Sequence, residues 1–401
     1  MEMYLKKADI LIPKNVDMKK WAVVACDQYT SEPEYWEEVA EFVGNEPSTL
    51  NLMVPELYLE DVDIAERIKK VNIKMDEYIS NEVFNVLKDS IVYLERTQQN
   101  GKIRKGIIGM VDLECYSYEK GSQSLIRATE GTIIERIPPR VRIRENASLE
   151  LPHVMLLIDD ENQDIIDKLR YEVDENQALY DFDLMQNSGH MKGYKLNESQ
   201  IRKIMDGLER LSDNVNFNKR YNTQDKKTLL FSVGDGNHSL ATAKTCYENL
   251  KKELSSEEYE NHPARYALVE IVNLHSEALD FEPIHRVIFG INPEHVINEL
   301  KKYYITSENG DGQKIKYVYK EKEGTLVIKN PKSNLAVGSL QMFIDEYLKN
   351  NFGKIDYIHG DDSVEKLAIQ EGNIGFLLPS MEKCDLFKTV ILDGALPRKT
   401  F

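Results

Sequence analysis

The chain has 401 residues, 41% hydrophobic and 30% charged, with a formal net charge of −17. Its length predicts two or three domains, and no apolar stretch is long enough for a bilayer span or a signal segment, so a cytoplasmic protein without membrane contact is expected. The acid excess argues against nucleic-acid binding, and Cys26, Cys115, Cys246 and Cys384 lack zinc-type or disulfide-framework spacing, as expected of reduced, mostly buried thiols.

In chain order, apolar spacing predicts helices over 34–42 and 64–84, and β-branched and aromatic content predicts strands over 91–95, 107–113 and 154–158. Helices over 163–172 and 198–211, a strand over 229–233, a helix over 239–254 and a strand over 267–272 follow. The last part reads as a helix over 294–303, strands over 315–319 and 325–328, helices over 340–350 and 363–370, and a strand over 374–378. Asn197 and Asp362 are placed to cap two of these helices, as is Ser31 ahead of Pro33 and Glu34. Residues 314–329 read as a hairpin turning at 321–324, with Ile315, Tyr317 and Tyr319 on its covered face. The class is mixed α/β (α+β), with a central mixed sheet and flanking helices in a main domain over 1–290 and a smaller α/β subdomain over 291–401.

The most informative stretch runs from Leu229 to Lys244, where an apolar strand breaks into Gly234-Asp235-Gly236-Asn237-His238-Ser239 and resumes as a helix. Two glycines permit a sharp turn and close backbone approach, the helix start offers N–H groups to an anion, and Asp235 and His238 add a cation-type ligand and a proton carrier. The competing reading is a tight turn in which Asn237 or Asp235 caps the helix.

This turn resembles that of the bacterial family called domain-of-unknown-function ten-fifteen. Arg104 to Leu113, Arg127-Ala128-Thr129-Glu130, Pro152 to Asp160, Pro283-Ile284-His285-Arg286 and Leu396 to Phe401 resemble further signatures of that family in the same order. The chain departs from the pattern at Asn237-His238-Ser239, where members commonly show His-His-Arg, and at Thr129, where a His is common. The turn is similar in a more remote way to that of the ParB and sulfiredoxin superfamily, which includes free-serine kinases.

The resemblance gives the candidate site. Asp235 would hold Mg²⁺, and the backbone from Gly234 to Ser239 would cradle a phosphate with Arg127, Arg140, His285 and Arg286. Glu130, or alternatively Asp27, would take the proton of an acceptor hydroxyl. Each has a plainer reading: Glu130 in a surface ion pair with Arg127, His285 and Arg286 in a loop satisfying nearby carbonyls, and Arg140 to Arg144 as the solvated face of a strand within the arginine-rich window Arg127 to Arg144. His190 falls in a turn that reads as a solvated loop, and Lys399 lies near the last residue, in a segment open to fraying.

The expectation is a phosphotransferase acting on a small hydroxylated metabolite, with serine the leading guess, Mg²⁺ as cofactor and ATP, ADP or pyrophosphate as donor. No P-loop and no protein-kinase signature set is present. The alternatives are a non-catalytic sensor of a nucleotide or phosphometabolite and a metal-dependent phosphohydrolase that uses water as acceptor. The expected partner is thus a small molecule, and the oligomeric state is left open.

Overall fold

The computed structural model describes residues 4–25, 29 and 32–401, so Cys26, Asp27 and Ser31 lie outside the described residues. The class is mixed α/β, as the sequence implies, and the chain divides into two compact units. The first comprises residues 1–118, 123–127 and 132–279; the second comprises 119–122, 128–131 and 280–401.

The first unit holds strands β1 (Ala8–Pro13), β2 (Phe84–Ser90), β3 (Val92–Thr97), β4 (Ile103–Asp112), β5 (Tyr116–Ser117), β6 (Ile126–Ala128, whose last residue falls in the second unit), β7 (Val154–Ile158), β8 (Tyr180–Asp183), β9 (His190–Lys195), β10 (Phe231–Asp235) and β11 (Tyr266–Asn273). Nine of them form one sheet in the order β5-β6-β10-β7-β11-β4-β3-β9-β8, and β1 pairs with β2 separately. The large sheet is mixed, since β7 and β11 run parallel while β10–β7 and β11–β4 are antiparallel. The helices are α1 (Met18–Trp21), α2 (Pro33–Val43), α3 (Ile64–Ser80), α4 (Ile137–Arg144), α5 (Glu198–Ser212), α6 (Asn214–Tyr221), α7 (Asn237–Lys251) and α8 (Ser256–Asn261).

The main core forms where the apolar faces of α5 (Ile201, Ile204, Leu208) and α7 (Leu240, Ala243, Tyr247) meet Ile107, Leu156, Val233 and Ile271 of the sheet. Helix α5 starts where the sequence places it, because Asn197 and Gln200 form a reciprocal capping box.

Several expected elements differ. The helix predicted over 64–84 stops at Ser80, because Phe84–Ser90 pairs with β1, a partner far away in sequence. The helix predicted over 163–172 is one short 3₁₀ turn at Asp167–Tyr171; upstream, the Asp160 carboxylate accepts the Asp164 and Ile165 N–H groups at 2.8 and 3.0 Å and holds the chain in a turn. The alternating stretch Arg140 to Arg144 is helical, because Pro138 and Pro139 fall in the first turn of α4, where a missing N–H costs no hydrogen bond.

The second unit holds β12 (Ile284–Phe289), β13 (Thr306–Ser307), β14 (Gln313–Tyr319), β15 (Lys322–Ile328), β16 (Lys354–His359) and β17 (Ile374–Leu377), in the order β13-β15-β14-β17-β12-β16. Its helices are α9 (Pro293–Tyr303), α10 (Ala336–Asn350), α11 (Asp361–Ala368) and α12 (Lys383–Asp393). The β14–β15 hairpin turns at Lys320–Glu321, one residue before the expected position, since Tyr319 pairs with Lys322 and Lys320 takes a positive φ of 50°. Ile315 is buried, and Lys314 and Lys316 are exposed, as the alternation implies. Helix α11 begins at Asp361 with Gly360 as its N-cap, so Asp362 lies inside the helix instead of capping it.

Candidate functional site

Strand β10 runs on to Asp235, with an irregularity in its pairing to β7 between Val233 and Asp235. The chain then turns through Gly236 at φ 82°, ψ 28°, and α7 begins at Asn237. This left-handed conformation suits glycine, and the close approach demands it too, because a Cβ here would sit 3.1 Å from Val154 Cα and 3.4 Å from the His153 carbonyl oxygen. The N-cap position thus carries no side chain, and the first turn of α7 carries no acid. The exposed Asp235 carboxylate accepts the Gly236 N–H at 2.7 Å, and Gly234, Asn237, His238 and Ser239 are half-buried.

Two histidines serve this corner. His238 Nε2 accepts the Ile133 N–H at 3.3 Å, which puts the proton of a neutral ring on Nδ1. His153, immediately before β7, lies 2.6 Å through Nε2 from Ser239 Oγ and 3.0 Å through Nδ1 from the Leu151 carbonyl oxygen. A carbonyl only accepts, so Nδ1 carries a proton, and in the neutral ring Nε2 receives the Ser239 hydroxyl. His153 falls within the Pro152 to Asp160 stretch, where no local pattern marks it as a partner of the turn. Its place beside the turn comes from antiparallel pairing of β7 with β10, which no local pattern announces.

Arg127 and Arg140 are committed elsewhere in the first unit. Arg127 is 3% exposed and donates to the carbonyl oxygens of Ser124 and Lys227, both at 2.7 Å, and of Thr228 at 3.3 Å. Burial pushes its guanidinium down to about 10, which leaves it charged at neutral pH. What Arg127 is seen to bind is the chain itself. Arg140 donates to the Arg136 carbonyl and to the Glu56 carboxylate, a pairing seen in the fold but not anticipated.

The second unit contains Glu130, His285 and Arg286. Glu130 is exposed, and its neighbour Thr129 is buried, with its carbonyl accepting the Leu396 N–H at 2.6 Å. His285 and Arg286 lie in β12, a strand paired on both sides, and not in a loop. His285, 2% exposed, accepts the Leu378 N–H at Nδ1 (3.1 Å) and donates from Nε2 to Asp361 (2.8 Å). Burial holds its pKa below the ordinary histidine value. Arg286 is fully buried, pushed down to about 10 by desolvation, and donates to Gln341 Oε1 and to the carbonyls of Ile284 and Arg398. The carbonyl-satisfying reading describes this arginine. Through it, and through the Ile284–Thr400 hydrogen bond, residues 396–401 are tied into the unit; Lys399 is exposed at φ 53°.

A second polar cluster follows the ends of the parallel strands β7 and β11. Asp159, 5% exposed, accepts from His275 Nε2 at 2.6 Å, from Arg220 at 2.7 Å and from the Tyr221 hydroxyl. Its carboxylate is thus fully engaged and ties α6 to the strand ends. His190 is the first residue of β9, with its ring nitrogens 2.7 Å from both Asp181 and Asp183. A surface hollow of about 570 Å³ lies between α4 and α7, lined by Glu135, Pro139, Arg142, Thr245 and Asn249 among others. Thr245 and Asn249 follow His238 by seven and eleven residues, so all three share one face of α7.

Among the described residues no group of three or more His, Cys, Asp or Glu side chains is arranged to hold a metal ion, and no helix is long and apolar enough to cross a membrane. Of the expected buried cysteines that the structure describes, Cys246 is buried, Cys115 is half-buried and Cys384 is exposed.

The corner thus turns a strand through a left-handed glycine into a helix beside an acid and two histidines. The chain matches the family model described as protein of unknown function DUF1015 over residues 11–347 and belongs to that family. Comparison with curated proteins gives no match.

Proposed function

We propose that the protein transfers a phosphoryl group to a small hydroxylated metabolite and that the Asp235–Ser239 corner receives the phosphates of the donor. The reading is carried by the conformation of Gly236: its positive φ turns the main chain sharply beside an exposed carboxylate, at the positive end of a 15-residue helix with no acid in its first turn. Phosphoryl transfer asks a protein chiefly for positioning and charge neutralisation, and a corner of this kind supplies both. One exposed carboxylate fits Mg²⁺, which is commonly bound through one or two carboxylates together with substrate phosphates and water. When bound, the ion neutralises charge on the donor's phosphates. Serine remains the leading acceptor on the remote similarity of the turn to that of free-serine kinases, with ATP, ADP or pyrophosphate as donor. The role of Glu130 as acceptor-side base rests on the resemblance.

The test is a mass-spectrometric transfer screen with Mg²⁺, each of the three donors and a panel of hydroxylated metabolites including serine. A phosphorylated acceptor that disappears in Asp235→Ala is the expected result, and Glu130→Gln in the same assay tests the base. Thermal stabilisation by a donor without any product overturns the reading in favour of a sensor; phosphate release without an acceptor moves it to a hydrolase.

A further inference from the structure

Helix α7 carries three hydroxyl side chains in its first turns, and they behave differently. Thr242 and Thr245 donate back to the carbonyls four residues earlier, His238 and Ala241, at 2.7 and 2.8 Å, the usual way a helix absorbs a hydroxyl. Ser239 instead faces a histidine ring at 2.6 Å. That ring is held from behind by the Leu151 carbonyl, which fixes the tautomer whose Nε2 lone pair points at Oγ. His153 is exposed and Ser239 half-buried, so a ligand can reach the pair. The backbone holding them is firm, since β7 is paired on both sides and its start touches the Gly236 turn. A hydroxyl, a base in hydrogen-bond reach and a group orienting the base are the parts of an activated nucleophile.

We propose that Ser239 Oγ is the nucleophile of a two-step transfer, passing through a phosphoserine, at the site read above as phosphotransferase. In the first half, Oγ forms a bond to the terminal phosphorus of a phosphoanhydride donor, and the Oγ proton passes to His153 Nε2. The anhydride P–O bond breaks, and the shortened donor leaves with the electron pair. In the second half, an acceptor hydroxyl attacks the same phosphorus and loses its proton to water. The P–Oγ bond breaks, and Oγ takes back the proton held by His153. The net change is donor plus alcohol giving shortened donor, phosphate ester and one proton.

This inference rests on the phosphotransferase reading, and its test separates the two. The full chain is incubated with Mg²⁺ and ATP, ADP or pyrophosphate, without acceptor, and its peptides are examined by mass spectrometry; exchange of isotope between donor and shortened donor is followed in parallel. Expected are one phosphoryl group on Ser239, donor exchange without acceptor, loss of both in Ser239→Ala, and about a 10²-fold or greater fall in labelling rate in His153→Ala, in line with removal of a general base. Imidazole added to His153→Ala restores labelling, which a merely structural histidine would not show. Melting curves for both variants establish that they fold. Acceptor phosphorylation that survives Ser239→Ala without label or exchange overturns the intermediate and leaves direct transfer standing. A label that persists in Ser239→Ala overturns it as well, and absence of label, exchange and product with every donor overturns both readings.

Discussion

Replacing Gly236 by alanine tests the geometry of the corner through stability. An L-residue in the left-handed region costs about 1–2 kcal/mol. Here the added methyl also meets Val154 Cα and Cγ2 at 3.1 Å. Val154 begins β7, which is paired with both β10 and β11, so its main chain does not give way cheaply. Overpacking of that kind adds about 1–3 kcal/mol, for a total of about 2–5 kcal/mol. Gly101 provides the control, because it sits in the same unit at φ 80° with nothing within 4 Å of a built Cβ. Gly101→Ala therefore carries the conformational cost alone, about 1–2 kcal/mol. Equilibrium urea unfolding followed by tryptophan fluorescence reads the first unit selectively, since the chain's 2 tryptophans, Trp21 and Trp36, both belong to it. If Gly236→Ala costs no more than Gly101→Ala, the close approach of the turn to β7 is refuted.

Two further predictions concern the second unit. Arg286→Met leaves Gln341 Oε1 and the carbonyls of Ile284 and Arg398 without this donor, and each buried acceptor left unpaired costs about 1–3 kcal/mol; calorimetry should show a marked loss of stability, and a loss within error would mean that water replaces the guanidinium. His285 has a folded pKa below its unfolded value, so the unfolded chain binds the extra proton first, and stability present above the unfolded pKa falls as the pH drops through it. Urea unfolding followed by circular dichroism from neutral pH to about pH 5 should show that decline in the native chain and a shallower one in His285→Gln; equal slopes would contradict it.

The site was legible where the information is local. Gly234 to Ser239 read as a strand-to-helix break because an apolar run, two glycines and a helical spacing are adjacent in sequence, and the structure places β10, the turn and α7 there. The arginines were less legible. A guanidinium that serves carbonyls reads the same in sequence as one that awaits an anion, and only burial separates them, as Arg127 and Arg286 show.

By itself the sequence determined the mixed class, the capped start of α5 at Asn197, the strand over 154–158 and the turn at Gly236, because each follows from backbone preference or periodicity within a few residues. Tertiary structure alone decided that Phe84–Ser90 leaves its helix to pair with β1, and that His153 faces Ser239 although 86 residues separate them. Those outcomes depend on strand pairing, and a strand's partner is fixed by the whole sheet rather than by its own residues.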